Sequence, residues 1–269
     1  MKAKELLDAG HLSAAIEQLN QEVKSHPSDP RLRTFLFELL CFAGDYERAE
    51  RQLDVIGHQS ATAEVGVEVY RNILTAERNR RRLFSDGLLP DFLFEPAAYT
   101  HLHLEAVSRL RDSQPAEAKA LLEQSAGVRP PLKGRTEGER FDDFRDADDQ
   151  LGPFLEVIVH SNYVWLPFEQ ISHLTISPPK RLRDLLWIPA ILESKLGAVG
   201  EVFLPVLYAG SSDHDDDQVK LGRMTDWQAV REGLSLGVGQ RLFLIDGAER
   251  PMLEIREVAF DAAGSAEQA

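Results

Sequence analysis

The first half of the chain repeats an apolar and small-residue pattern at a fixed interval. Four positions recur 34 residues later: Gly10 and Gly44, Leu12 and Tyr46, Ala15 and Ala49, Leu19 and Leu53. The glycine ends a helix and permits a tight turn, the alanine lets paired helices approach closely, and the leucine continues the apolar stripe. A helix–turn–helix unit with this period is typical of tetratricopeptide repeats. The pattern therefore predicts stacked helix pairs.

The same periodicity places the helices coarsely along the chain. "HPSDP" stops one helix and offers Ser28 or Asp29 as a cap for the next, and "DGLLPDFLFEP" breaks the pattern with glycine and proline. A last pair follows, because "PAEAKALLEQ" resembles the second helix of a repeat. Helices are predicted near residues 2–9, 12–25, 30–42, 46–56, 63–84, 97–111 and 115–124.

A stack of helix pairs curves, and the first helix of each pair lines its concave side. Such surfaces usually hold peptides or helices. In the best-defined unit, the concave side would carry the candidate partner-binding residues Arg31, Thr34, Glu38 and Phe42. The alternative is that these are ordinary solvated or inter-repeat residues.

The pattern changes after residue 128. Residues 129–150 are rich in proline, glycine and charge and predict an acidic joint. Beyond them, short β-branched or aromatic runs separated by turn residues predict a compact, mostly antiparallel β domain over 151–262. The fold class is therefore α+β, with a tetratricopeptide-like helical domain at 1–128 and a disordered tail at 263–269.

Two local details of the β domain are also predicted. "RLFLIDGAERPMLEIREV" indicates a hairpin that turns at Asp246–Gly247 or just after it. Pro167, Pro189 and Pro205 lie in or beside strand segments, and proline cannot donate to a ladder, so those strands should be edges or bulged.

Charge and cysteine content narrow the classes of partner. The formal net charge is −14, so nucleic acid and anionic membranes are poor partners, and the basic run "RNRRR" at 78–82 is expected to be a solvated helix face. Cys41 is the single cysteine, which excludes an intrachain disulfide and fits a reducing compartment. No apolar stretch reaches the roughly 18 residues of a membrane span. The chain is predicted to be a soluble cytoplasmic protein.

One candidate chemical motif is "DDFRD", a DDxxD spacing that could bind Mg²⁺. On a helix, Asp142, Asp143 and Asp146 would share one face. That chemistry also needs an all-helical cavity and a second acidic motif, so a solvated or arginine-paired linker is favoured over a metal-dependent enzyme. "SSDHDDD" lacks a calcium-loop pattern, and His101 and His103 lack zinc spacing. We therefore predict no enzyme, with no catalytic residue, metal ligand or cofactor.

Several segments together resemble the ImpE/SciE/TagJ family of bacterial type VI secretion accessory proteins. They are "AGHLSAAIEQLNQEVKSHPSDPRLRTFLFELLCFAGDYERAERQLD", "FDDFRDADDQLGPFLEVIVHSNYVWLPFEQI", "RDLLWIPA" and "EVFLPVLY", in this order. The resemblance implies a non-enzymatic adaptor that binds the N-terminal helix of the small contractile-sheath subunit. It also implies a link to the AAA+ ATPase that disassembles sheaths.

Trp165 and Trp187 lie in the matching segments. Their large faces could anchor a partner, or they could pack in the core. Besides the metal-dependent enzyme, one more alternative to the adaptor is a structural scaffold that never touches the sheath.

Overall fold

The computed structural model describes residues 2–58, 61–230 and 233–261. Residues 2–128, the helical half, form antiparallel helix pairs. The α+β fold class is confirmed. The helices are α1 (Lys2–Asp8), α2 (Leu12–Ser25), α3 (Pro30–Phe42), α4 (Tyr46–Gly57), α5 (Ala61–Asp86), α6 (Thr100–Arg111) and α7 (Pro115–Val128).

The repeat is built as its residues indicate. Gly10 and Gly44 have φ of 85° and 71°, in the left-handed region that glycine adopts without strain. Ala15 and Ala49 are fully buried, so the paired helices approach closely. Asp29 caps α3, because its side chain accepts a hydrogen bond from the backbone N–H of Arg31.

The described residues of 134–261, the β half, contain antiparallel strands, one short α-helix and several short 3-10 turns. The strands and the helix are β1 (Gly134–Thr136), β2 (Glu139–Phe141), β3 (Phe144–Asp146), β4 (Phe154–Val159), β5 (Asn162–Pro167), β6 (Ile171–Ile176), β7 (Trp187–Ser194), β8 (Ala198–Pro205), α8 (Asp217–Lys220), β9 (Thr225–Val230), β10 (Leu234–Gly239), β11 (Leu242–Ile245), β12 (Ala248–Pro251) and β13 (Glu257–Phe260).

The strands form an eight-stranded sheet of order β2-β1-β13-β6-β7-β8-β4-β5, a three-stranded sheet of order β12-β11-β3, and a β9–β10 hairpin. Aromatic side chains join the two larger sheets. The ring of Phe144 lies 5.0 Å from Phe168, 5.1 Å from Phe243 and 5.3 Å from Phe260. The opposite face of the large sheet packs against the helices, and the buried apolar side chains of both halves form one continuous cluster.

The segment 129–150, predicted as an acidic joint, contains β1, β2 and β3. It contributes strands to both the eight-stranded and the three-stranded sheet, since β1 pairs with β13 and β3 pairs with β11. Asp146 and Asp148 are buried rather than solvated. The proposed boundaries at 128 and 151 stay a prediction, and the predicted tail at 263–269 lies outside the described residues.

The hairpin prediction is confirmed. Ile245 pairs with Ala248, so Asp246 and Gly247 form a two-residue loop with φ of 51° and 80°, both in the left-handed region that a type I′ turn requires.

The prolines behave in two ways. Pro167 ends the edge strand β5, whereas Pro189 lies inside β7, between β6 and β8. Pro189 is tolerated there because it faces the region just past the end of β6, where its carbonyl accepts from Ser177. The register of β7 is irregular, but at Leu192/Glu193 rather than at the proline.

Candidate functional site

α3 carries the four residues predicted to line the concave side of the repeat. The side chain of Arg31 is 93% exposed, and the hydroxyl of the partly exposed Thr34 donates to the carbonyl oxygen of Pro30 at 2.9 Å. Glu38 and Phe42 are buried and face other parts of this chain. Partner binding by Arg31 and Thr34 stays a prediction, whereas Glu38 and Phe42 offer a partner no surface in this structure.

The surface that Glu38 faces is the β half of the same chain. Arg183, in the turn before β7, donates to Glu38 at 3.2 Å, and its guanidinium lies 4.8 Å from the centre of the Tyr70 ring. Trp187 at the start of β7 donates from Nε1 to Glu77 at 2.9 Å. The side of the helical half that was predicted to hold a partner therefore holds β7 and its preceding turn.

Trp165 is the other predicted anchor, and it is fully buried. Its ring stacks on Phe154, with centroids 5.0 Å apart, and meets the edge of His103 at 6.1 Å. Its Nε1 donates to the hydroxyl of Tyr163 at 2.6 Å. Trp165 and Trp187 thus take the core-packing role, and neither presents a face to a partner in this structure.

A buried ion network lies between the two halves. Arg80 of α5 donates through Nε and Nη2 to both carboxylate oxygens of Glu156 on β4, each at 2.7 Å. Arg241 donates to Asp146 at 2.7 Å and also to Glu156. These four residues are between 0% and 4% exposed. Each buried charge has an opposite charge beside it, as the cost of desolvation requires.

The sequence interpretation missed Arg80. It lies in the run "RNRRR", and its neighbours Arg78 and Arg82 do pair with acids at the surface, Glu50 and Asp86. The spacing of residues along α5 could have predicted that Arg80 is buried. Arg80 follows Ile73 by seven residues, on the apolar face of α5.

Asp148 is a buried acidic group next to the ion network. Its carboxylate accepts from the backbone N–H groups of Gln150 and Gly237, both at 2.7 Å. Burial, and then the neighbouring charge of Asp146, raise the pKa of Asp148 to about 7. Burial lowers the pKa of Arg241 to about 10.

The DDxxD carboxylates point to different partners: Asp142 and Asp143 lie in the connection between β2 and β3, and Asp146 ends β3. Asp142 is exposed and pairs with Lys133 at 2.9 Å, which lowers the pKa of Asp142. Asp143 pairs with Arg129 at 2.6 Å, and Asp146 points into the buried network. In residues 2–58, 61–230 and 233–261, no group of three or more His, Cys, Asp or Glu side chains is placed to hold a metal ion.

The "SSDHDDD" loop has a structural role. Asp216 caps α8, and Asp217 accepts from the backbone N–H of Leu12 at 2.7 Å, at the start of α2. The loop therefore helps to fix the first helix pair on the β half. Of the helices that the structure describes, none is long and apolar enough to cross a bilayer.

A groove of about 510 Å³ opens beside the ion network. One wall comes from α5 and α6, the other from the β9–β10 hairpin, and Asp148, Glu156 and Tyr208 lie at its base. The wall residues used below are Arg81, Phe84, Leu110, Arg111, Leu236 and Val238.

This architecture has known relatives. The chain is 40% identical over 261 residues to "Type VI secretion system accessory component TagJ" of Pseudomonas aeruginosa, covering 97% of this chain and 92% of that protein. The model of the family described as "ImpE protein" matches residues 138–259. The chain belongs to the ImpE family. A crystal structure, that of VPA1032 from Vibrio parahaemolyticus, matches with a TM-score of 0.90 at 26% identity, covering 99% of this chain and all of that chain.

The ImpE family model and the TagJ alignment cover different parts of the molecule. The family model matches from the β1–β2 turn to β13, whereas the alignment with TagJ covers 97% of the chain. The solved relative likewise matches over 99% of the chain. The sequence similarity to TagJ and the fold similarity to VPA1032 thus extend across both the helical half and the β half.

Proposed function

We propose that this ImpE-family protein is an accessory component of a bacterial type VI secretion system and acts in the cytoplasm as a non-enzymatic adaptor. The observation that carries the proposal is the 40% identity to a protein named as such a component, over 97% of this chain. Because the similarity extends across both halves, the proposal applies to the whole molecule.

The partner we propose is the N-terminal helix of the small contractile-sheath subunit. A helix is recognised by a groove that takes apolar side chains at positions i, i+3, i+4 and i+7. The net charge of −14 favours a helix with basic flanks, since complementary charge steers association. Through this contact the adaptor would link sheath subunits to the AAA+ ATPase that disassembles sheaths.

The placement of the acidic residues supports binding rather than metal-dependent catalysis. Asp142 and Asp143 engage Lys133 and Arg129, and Asp146 engages Arg241. The DDxxD spacing is thus explained by three separate ion pairs, each with a different cation.

Coexpression tests the proposed partner. Tagged adaptor is produced with the small sheath subunit in three forms: complete, without its first helix, and with that helix scrambled at constant composition. We expect retention of the complete form alone, because a scrambled helix keeps its charge but loses the apolar stripe. Equal retention of all three forms would refute helix recognition. Recovery of baseplate or ATPase proteins without sheath would favour the scaffold alternative.

A further inference from the structure

The groove between α5–α6 and the β9–β10 hairpin has the apolar walls that helix recognition requires. Phe84 and Leu110 contribute apolar surface from the helices, and Leu236 and Val238 contribute it from the hairpin. Leu110 and Leu236 are half-buried, so both remain accessible from the groove. A helix lying here could bury one apolar stripe against both walls.

The buried cluster at the base of the groove contains more carboxylates than guanidinium groups. Among the described residues, the buried cluster holds the carboxylates of Glu77, Asp146, Asp148 and Glu156 beside the guanidinium groups of Arg80 and Arg241. The arginines form ion pairs with the other three acids. The Asp148 carboxylate accepts hydrogen bonds from the backbone N–H groups of Gln150 and Gly237, and the charge of Arg241 acts on it, but in the part of the chain that the structure describes no cation forms an ion pair with it. A buried carboxylate without a paired cation is unfavourable, and an arriving cation would relieve that cost.

The rim of the groove carries charges of both signs. Arg81 and Arg111 lie on the α5–α6 wall, Asp213 also lines the groove, and Arg111 lies 3.9 Å from Asp112. A partner cation is therefore favoured at the base of the groove rather than beside the two arginines.

We propose that this groove is the docking site for the partner helix and that a lysine or arginine of that helix places its charge against Asp148. The inference rests on the proposed function, which supplies the helix, and adds to it a location and a charge contact. The helix would bury its apolar stripe between Leu110 and Leu236.

Binding should then depend on pH. The charged and titratable groups that face Asp148 are Asp146, Arg241 and Tyr208. Since burial raises the pKa of Asp148 to about 7, a cation that pairs with it must displace a proton at lower pH. Affinity should fall as the pH is lowered from 8 to 6, approaching tenfold per unit below pH 7.

The test measures binding of a labelled peptide with the sequence of the sheath subunit's first helix, by fluorescence anisotropy, to the full chain. Asp148→Asn and Leu236→Gln should each weaken binding at pH 8 about tenfold or more. Asp142→Asn is the matched control: it removes one negative charge at a site 81% exposed, outside the groove, and should leave affinity unchanged. Leu236→Gln keeps the test valid if Asp148→Asn fails to fold.

Peptide variants identify the cation. Each lysine or arginine of the peptide is replaced by methionine in turn, and one replacement should weaken binding to the wild-type chain but not to Asp148→Asn. If Asp148→Asn and Leu236→Gln both bind the peptide as tightly as the wild-type chain does, the groove is not the docking site. The adaptor proposal would not be affected by that result. No binding of the unmodified peptide by the wild-type chain would overturn both.

Discussion

Replacing His103 by glutamine tests the description of the interface between α6 and the β half. The imidazole is 3% exposed, lies edge-on to Phe154 at 5.1 Å, and its Nε2 lies 2.7 Å from the carbonyl oxygen of Gln150. A carbonyl only accepts, so Nε2 carries the proton and Nδ1 faces the hydroxyl of Ser125 at 3.5 Å. Burial lowers the pKa of His103 to about 4.

This shift sets the direction and size of a pH effect on stability. The ordinary value is 6.5, so between pH 6.5 and 4 the unfolded chain binds a proton that the folded chain excludes. The contribution of His103 is present above pH 6.5 and is lost as the pH falls toward 4. At about 1.4 kcal/mol per pH unit, the loss reaches about 2 kcal/mol at pH 5.

The contribution of Asp148 to stability changes with pH in the opposite direction to that of His103. Its pKa is raised to about 7, so its contribution to stability is present at low pH and is lost as the pH rises through 7. The wild-type profile therefore mixes both groups, and only the difference between wild type and the His103→Gln variant isolates the histidine.

Urea unfolding at pH 8, 6.5 and 5 gives that difference. His103→Gln should cost about 1–3 kcal/mol at pH 8 through lost aromatic packing. Because glutamine does not titrate, the difference in free energy of unfolding between wild type and His103→Gln should be about 2 kcal/mol smaller at pH 5 than at pH 8. The control is His101→Gln, an exposed position on the same helix, which should change the free energy of unfolding at pH 8 by less than about 0.5 kcal/mol. A gap for His103→Gln that is equal at pH 8 and pH 5 would refute the buried, neutral imidazole.

Three further predictions concern other parts of the fold. Arg80→Met removes the cation beside Glu77 and one of the two cations beside Glu156, and should cost about 3–5 kcal/mol in urea unfolding. Gly44→Ala forces a left-handed alanine against Arg81 and should cost about 1–3 kcal/mol, whereas Gly66→Ala, in open space on α5, should stabilise by up to about 1 kcal/mol. Mg²⁺, Mn²⁺, Ca²⁺ and Zn²⁺ should produce no saturable rise in melting temperature; a rise that Asp142→Ala abolishes would revive the metal-dependent enzyme.

Local signals explain why the helical half was predictable. α2 and α3 span the residues expected, Leu12–Ser25 and Pro30–Phe42, because a glycine turn and an aspartate cap mark their ends within a few residues. The Asp246–Gly247 turn is equally local. In each case the residues that decide the conformation are neighbours in the sequence.

The buried ion network could not be predicted from neighbouring residues in the sequence. Arg80 and Glu156 are 76 residues apart, and Arg241 and Asp146 are 95 apart. The sequence does not show whether a charged residue is exposed or buried, because that depends on its partner in the tertiary structure. For this reason the "RNRRR" run looked solvated, and Asp146 looked like part of an open acidic cluster.

The position of the β half changes how a partner site on this fold must be sought. Residues that would line the inner face of a free repeat, such as Glu38 and Phe42, are covered by the turn and strand that carry Arg183 and Trp187. A fragment ending at residue 128 would expose that face and lose the β9–β10 wall of the groove. Such a fragment should bind apolar peptides without selectivity, since an exposed apolar surface can bury the apolar side chains of a peptide whatever their order in its sequence. The complete chain should discriminate the helix from its scrambled form, because both groove walls are then present.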